Sequence, residues 1–345
     1  MAYTVAISGI NAIDNPGPGT GIAKSLKESL LDVRTIGLAY DAMEPGIYMD
    51  WVIDKSYILP YPSGDVESYI TRLLDIHAIE HIDVIISALD SELPVFMKIE
   101  SELARHGIRI MVPSRQSFRD RSKDKLSELA PKIGLKYPST MAVTRVSELD
   151  KAADEYGFPL MIKGPFYEAF KVNSKEEAEK QFHTLAAKWG FPILAQKVIN
   201  GEEYNLVGLG DGEGNDLGHL AIKKMVITKL GKVWTNVSIR NERIFEACRK
   251  FLELSKWRGG FELELMLEPE ENELYLIEVN PRFPAWVYMA TGCGINLPER
   301  MVRHLLNQTC NTHSSYDAGR IMVRYTDELI SNIKAFERLT TYGES

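Results

Sequence analysis

The sequence predicts a mixed fold, an α/β lobe followed by α+β lobes, on three observations. Short apolar runs alternate with helical stretches through the first third of the chain. A helix–strand unit then occurs twice, its helices ending at Gly157-Phe158-Pro159 and at Gly190-Phe191-Pro192. Between residues 203 and 280 the pattern turns to strands. Strands separated by helices argue for a parallel sheet, and a run of strands argues for an antiparallel one.

Taken in order, residues 3–10 form the first strand. A loop rich in Gly, Pro, Asn and Asp fills 11–21, where Thr20 is placed to cap a helix reaching about residue 31. A second strand spans 33–40, a helix 66–76, a buried strand 83–87, and a helix 93–106 stopped by Gly107. A further strand, 108–112, closes at Pro113, and the first lobe ends at 113–117. Residues 119–130 read as a charged helix, and Gly134 and Pro138 punctuate the entry to the next lobe.

The second lobe opens on two boxes, Ser147-x-x-Asp150 and Ser174-x-x-Glu177, each leading a helix. The acidic residue can bond back to the cap, and Gly157 and Gly190 supply the left-handed residue past the helix end. The strands that follow are 160–162 and 193–198. Further strands are read at 204–208, 219–228 and 232–238, with turns at 211–214 and 229–231. A helix at 241–254 precedes two strands, 261–267 and 274–280, which the acidic loop 268–273 joins as a hairpin. A helix over 296–307 and a strand over 319–325 complete the reading.

At 345 residues the chain is too long for one small core. A net charge of −8 offers no basic face, which argues against nucleic acid as the main partner. Cys248, Cys293 and Cys310 lie far apart and form no CxxC, so free thiols in a reducing cytoplasm are expected rather than a disulfide framework or a zinc site. Met1-Ala2-Tyr3-Thr4 has no basic n-region, and no apolar stretch reaches about 18 residues, so neither a signal peptide nor a membrane span is expected.

The strongest chemical signal is Leu274-Tyr275-Leu276-Ile277-Glu278-Val279-Asn280-Pro281-Arg282. Period two puts Glu278 and Asn280 on one face of the strand, and Glu262 and Glu264 share a face of the preceding one. Paired as a hairpin, they gather carboxylates and an amide oxygen. Such crowded carboxylates repel unless a cation neutralises them, and hard oxygen donors suit Mg²⁺. The plain alternative is a solvated strand face. Lys163 ends the apolar strand 160–162, and Lys125 follows Asp124 before the second lobe. Lysines directed into one cleft would suit a polyphosphate. The strand end Gln196-Lys197-Val198 offers a backbone edge for a purine, and the acidic residues after Gly201 could hold ribose hydroxyls. The loop Gly17-Pro18-Gly19-Thr20-Gly21 tempts a dinucleotide reading with Asp41 as the ribose acid, but the sixth position of G-x-G-x-x-G is Ile22.

In order and spacing these pieces resemble the ATP-grasp superfamily, and in particular the units of carbamoyl-phosphate synthetase large chains and biotin carboxylase. The resemblance covers about residues 1–310. It implies a Rossmann-like pre-ATP-grasp domain over 1–115 and a two-lobed ATP-grasp domain over 116–310, with a small lobe at about 138–200 and a large lobe at about 201–310. A C-terminal segment, 311–345, follows. It further implies ATP and Mg²⁺, with Mn²⁺ as a substitute, and a cytoplasmic ligase joining a small carboxylate to an amine through an acyl phosphate, with a homodimer allowed. Lys125 and Lys163 would contact the phosphates, Gln196, Lys197 and Val198 the adenine, and Glu203 the ribose. Glu264, Glu278 and Asn280 would hold the metal, Arg282 would steady the transferred group, and Lys223 or Lys224 would reach the γ-phosphate. One departure stands out. Where relatives carry a glycine-rich loop after the second lysine, this sequence has Lys163-Gly164-Pro165-Phe166-Tyr167-Glu168-Ala169-Phe170-Lys171. That leaves an ATP-binding protein of weak or no turnover as the alternative, and an NAD-dependent oxidoreductase as a second.

Overall fold

The computed structural model describes every residue except Met1, Ile13, Asp14, Phe166, Tyr167, Leu230, Asn311, His313 and Ser314. Packing divides the chain into two units. One comprises Met1–Phe118, Asn205–Leu263 and Asn280–Ser345; the other comprises Arg119–Tyr204 and Glu264–Val279.

The first unit begins with the expected alternation of strand and helix. Strands β1 (Tyr3–Ile7), β2 (Val33–Ala39), β3 (Lys55–Ile58), β4 (Val84–Ile86) and β5 (Arg109–Ile110) form a parallel sheet in the order β3-β2-β1-β4-β5. Helices α1 (Pro18–Lys27), α2 (Val66–Glu80) and α3 (Leu93–Arg105) connect them. Apolar residues such as Ile36, Leu38, Tyr69, Leu73, Phe96 and Leu103 make a continuous core. Because the order reverses beside β1, a crevice opens at the C-terminal ends of β1 and β4, the usual ligand position in such sheets.

Two local expectations are corrected in this stretch, and one short strand lies outside the reading. Thr20 is not the cap of α1: the helix starts at Pro18 after Gly17, and the Thr20 hydroxyl donates to Gly17 O at 3.0 Å. Proline suits the first helical turn, where its missing N–H costs nothing. The short strand β3 escapes the apolar pattern because its four residues, Lys-Ser-Tyr-Ile, are too few to show a period. The helix read over 119–130 is two helices, α4 (Arg115–Asp120) and α5 (Leu126–Lys132), with Lys123 and Lys125 in the turn between. Ser114 Oγ accepts from Ser117 N at 3.0 Å and so starts the first helix upstream of the charged run.

The second unit holds an antiparallel sheet in the order β6-β9-β7-β8, formed by β6 (Thr140–Val143), β7 (Leu160–Lys163), β8 (Ala169–Val172) and β9 (Ile193–Lys197). Helices α6 (Ser147–Tyr156) and α7 (Lys175–Trp189) cover it, as the repeated helix–strand unit requires. Ser174 caps α7 by accepting from Glu177 N at 3.3 Å, while Glu177 accepts from Asn173 N at 2.7 Å. The first box is different. Ser147 lies inside α6, Glu148 reaches back to Thr144 N at 2.8 Å, and Asp150 instead pairs with Lys175 at 2.7 Å. Both helices do end at glycines with positive φ, Gly157 at 72° and Gly190 at 77°.

The strand-rich stretch forms a six-stranded sheet in the order β14-β13-β10-β11-β12-β15. Its members are β10 (Glu202–Asp211), β11 (Asp216–Ile227), β12 (Val233–Ile239), β13 (Arg258–Glu268), β14 (Glu273–Asn280) and β15 (Ile321–Val323). The two acidic strands are therefore neighbours, as read. Helix α8 (Glu242–Ser255) starts at Asn241, whose side chain accepts from Arg243 N and Ile244 N. Helices α9 (Tyr288–Gly292), α10 (Leu297–Leu305) and α11 (Ile333–Tyr342) follow, the last being a tail helix without a sequence expectation. The end of the chain closes the outer edge of β3: Ile58 N donates to Gly343 O and Ser345 N to Ser56 O, both at 2.9 Å. Among the described residues no helix is long and apolar enough to cross a membrane.

Candidate functional site

Strand β7 is an interior strand of its sheet, paired on both sides, to β8 and to β9. Leu160 and Ile162 point into the core, so alternation sends Met161 and Lys163 to the opposite face. Lys163 is nonetheless buried, only 8% exposed. Burial pushes its ammonium down to about 8, while Glu278 and, more weakly, Glu264 pull it back up and Lys123 pushes it further down. The Lys123 ammonium lies 4.0 Å from Glu278 Oε1. The second unit thus gathers two lysines and two carboxylates in one place, all four named residues coming from a turn, a strand end and the two acidic strands.

Beside them lies a group of hydrogen-bonded polar side chains. Gln196 is buried, and its amide nitrogen donates to Thr140 Oγ1 at 2.8 Å. The partly buried Tyr137 hydroxyl donates to Lys123 O at 3.1 Å, and desolvation raises its pKa against hydrogen bonds with Thr140 and Gln196. Lys197 ends β9 with its side chain exposed and its amide donating to Ser139 O at 2.9 Å. Val198 and Glu203 are partly exposed, the latter within β10. Lys125 stands apart. It is exposed, and its nearest ion partner is Glu128 at 3.5 Å. Lys123, two residues earlier in the same Lys-Asp-Lys run, is the lysine that reaches Glu278, and the sequence reading passed over it because nothing local separates the two.

The first unit holds a second cluster around Glu262. This carboxylate is 4% exposed. Its Oε1 accepts from Asn205 Nδ2 at 2.6 Å and Trp286 Nε1 at 2.7 Å, and its Oε2 accepts from Asn280 Nδ2 at 2.9 Å. Arg282 sits nearby, its Nε 3.0 Å from Asp90 Oδ1 and its Nη1 3.9 Å from Glu262 Oε2. Glu262 is therefore a buried hub that holds other side chains, distinct from the partly exposed Glu264 two residues on. Trp286 and Asp90 escaped the sequence reading, since their partners are distant in the chain. Lys223 and Lys224 lie in β11 opposite Val237 and Asn236, just before an irregularity in the pairing, and alternation sends them to opposite faces.

The glycines of the first loop are explained by packing. A Cβ on Gly19 would come within 2.1 Å of Ser8 O, and one on Gly17 within 2.4 Å of Gly9 O, so α1 approaches β1 only with glycine there. In the segment after Lys163, Phe166 and Tyr167 lie outside the described residues; around them Gly164 N donates to Glu168 O at 3.0 Å, which closes a β7–β8 hairpin. Glu168 is tied to α7 by Lys188 Nζ at 2.9 Å and Trp189 Nε1 at 2.8 Å. Lys171, in β8, is exposed. The three cysteines are free thiols. Cys248 does lie with Asp216 and His219 in a group whose ligand atoms fall within 4.8 Å of one another. There Asp216 Oδ2 is 2.5 Å from His219 Nδ1, and Asp216 Oδ1 accepts from Gly218 N.

Residues 159–285 match a family described as ATP-grasp domain. The carbamoyl phosphate synthase large chain of Saccharolobus solfataricus is 26% identical over 219 residues, 58% of this chain and 20% of that one. The chain thus spans about a fifth of the length of that curated relative. Among solved structures, a biotin carboxylase–β-γ-ATP complex from Campylobacter jejuni is 17% identical and superposes with a TM-score of 0.68 over 90% of this chain and 72% of its own. N5-carboxyaminoimidazole synthase from Aspergillus clavatus, in complex with ADP and 5-aminoimidazole ribonucleotide, is 18% identical with a TM-score of 0.65, covering 91% of this chain and 79% of its own. The chain is similar to ATP-grasp ligases in both sequence and fold, as its motifs imply.

Proposed function

We propose that this chain is an ATP- and Mg²⁺-dependent ligase that activates a carboxylate as an acyl phosphate and transfers it to an amine. The observation that supports it best is the buried Lys163 ammonium among Glu278, Lys123 and Glu264. Fixed cations beside paired carboxylates suit a metal–polyphosphate ligand, which brings charges of both signs. Glu264, Glu278 and Asn280 offer the hard oxygen donors that Mg²⁺ or Mn²⁺ takes, and the ion would neutralise charge on the transferred phosphoryl group. Lys163 and Lys123 would bind phosphate oxygens, with Lys123 replacing Lys125 in that role. Gln196, Lys197 and Val198 would face the adenine and Glu203 the ribose. Glu262 would orient the Asn280 amide by its nitrogen, and Lys223 or Lys224 would approach the γ-phosphate. The substrate carboxylate attacks the γ-phosphorus in line, a P–O bond to it forms, and ADP leaves. The amine then attacks the acyl carbon, phosphate leaves, and Arg282 stabilises the oxyanion between.

The test is ADP release from ATP and Mg²⁺ on addition of pooled amino acids as carboxylates and amines. Release that depends on both Mg²⁺ and an added substrate supports the reading. Stabilisation by NAD, with none by adenine nucleotides, overturns it, since a ligand of the folded state raises apparent stability.

One observation favours a second reading, an ATP-binding protein without turnover. The segment after Lys163 carries a single glycine, Gly164, and Glu168 is held to α7, so the sequence lacks the glycine-rich loop that would close over phosphates. Stabilisation by MgADP without ADP release under any substrate mixture would select it.

A further inference from the structure

The first unit contains a cavity of about 520 Å³ at the C-terminal ends of its parallel strands. Asn11 follows β1, Tyr40 and Glu44 follow β2, Tyr61 follows β3, and Leu89 and Ser91 follow β4; all line it. This is the crevice at the reversal of strand order, and its volume is that of a small-molecule site. None of the ligase roles proposed above uses these residues.

Glu44 makes this cavity chemically specific. Its side chain is 8% exposed, and Oε1 accepts from Tyr40 N at 2.8 Å. Its Oε2 is buried with no hydrogen-bond partner. A buried carboxylate oxygen without a partner is costly, and native proteins keep few of them. Burial pushes this carboxyl up to about 7, against hydrogen bonds from the Tyr40 and Asp41 backbone amides, and the charges of Glu92 and Asp41 add to the rise. Glu92 is fully buried behind the wall and accepts from Ser8, Tyr40 and Ser87. Asp41 stands at the mouth. Among the described residues the lining holds no lysine, arginine or histidine, so an anion would meet carboxylates and no cation there. The rest of the wall mixes polar Asn11, Ser63 and Ser91 with apolar Met43 and Leu89, and the Tyr40 and Tyr61 rings stack at 5.6 Å with an interplanar angle of 16°.

We infer that this cavity binds a small molecule carrying a protonated amine on a flat or apolar body, with the amine donating to Glu44 Oε2 and the body lying along Tyr61 and Leu89. An ammonium group supplies the missing donor and offsets the charge of Asp41 and Glu44 together. The inference stands on the first unit alone and does not depend on the ligase reading.

The experiment is calorimetric titration of the full chain at pH 8 with benzylamine, tyramine, tryptamine and agmatine. Benzyl alcohol and 4-ethylphenol serve as neutral counterparts, and 3-(4-hydroxyphenyl)propionate as an anionic one. At least one amine should bind about tenfold more tightly than its neutral counterpart, the gain expected of one charge-assisted hydrogen bond, and the anion should not bind. Glu44→Gln retains the acceptor for the Tyr40 amide and should remove that preference while leaving MgADP binding unchanged. Tyr61→Ala, at an exposed ring, should weaken aromatic amines without touching the fold. If neither benzylamine nor tyramine outbinds its neutral counterpart, or if Glu44→Gln leaves the preference intact, the inference is overturned.

Discussion

The Asn280 side-chain nitrogen donates to Glu262 Oε2 at 2.9 Å, which fixes which end of the Asn280 amide turns toward the carboxylate and which away. Glu262 also holds Asn205 and Trp286. Glu262→Ala would strand three buried donors at once. The expected loss is about 3 kcal/mol, a few unsatisfied polar groups at ~1 kcal/mol or more each. Urea denaturation measures it, and a stability equal to that of the parent would show that these bonds carry no net weight.

Lys163→Met keeps the stem and deletes the ammonium. Affinity for MgADP should fall by about tenfold to a hundredfold, the worth of a hydrogen bond to a charged group. The fold should gain rather than lose at neutral pH, because the folded pKa of about 8 lies below the ordinary 10.5. Between those values the unfolded chain binds more protons, so stability rises with pH across that window. The parent should therefore gain on Lys163→Met from pH 8 to pH 10.5, by at most about 3 kcal/mol. A flat difference over that range would contradict the burial of this ammonium as a charged group.

Glu278→Gln removes the carboxylate that faces both Lys123 and Lys163. Stabilisation by ATP should lose its Mg²⁺ dependence, and ADP-forming turnover should drop by about a hundredfold or more, the scale of a lost metal ligand in phosphoryl transfer. If Mg²⁺ still enhances nucleotide binding in the variant to the parental extent, the metal lies elsewhere.

Arg282→Lys tests the transferred-group role. The guanidinium is held between Asp90 Oδ1, 3.0 Å from its Nε, and Glu262 Oε2, 3.9 Å from its Nη1, a two-point placement that a lysine cannot reproduce. Nucleotide affinity should be unchanged, while turnover falls about a hundredfold, as for loss of one oxyanion donor. Loss of nucleotide binding with turnover per bound complex preserved would reassign the residue.

Much of the fold was legible because its signals are local. The apolar runs of β1, β2 and β4, the Gly107 stop and the paired Gly-Phe-Pro helix ends all lie within a few residues of what they determine. Period two singled out Glu262 with Glu264 and Glu278 with Asn280 as candidates, but not that each pair divides between the Lys163 cluster and the Glu262 hub. Thr20 misled because a side chain that can cap was read without the Pro18 that starts the helix. Ser147 misled because Glu148 serves Thr144 instead.

Tertiary structure alone decided the rest. Choosing Lys123 over Lys125 depends on Glu278, which lies more than 150 positions further along the chain, and no local pattern encodes that distance. The split between Glu262 as a buried hub and Glu264 as a partly exposed carboxylate depends on Asn205 and Trp286 coming from other elements. Residue type and alternation declare what a side chain can do and which face it takes. Its partners, its burial and hence its charge are set only when distant segments pack, because desolvation and Coulomb terms depend on distance in space rather than in sequence.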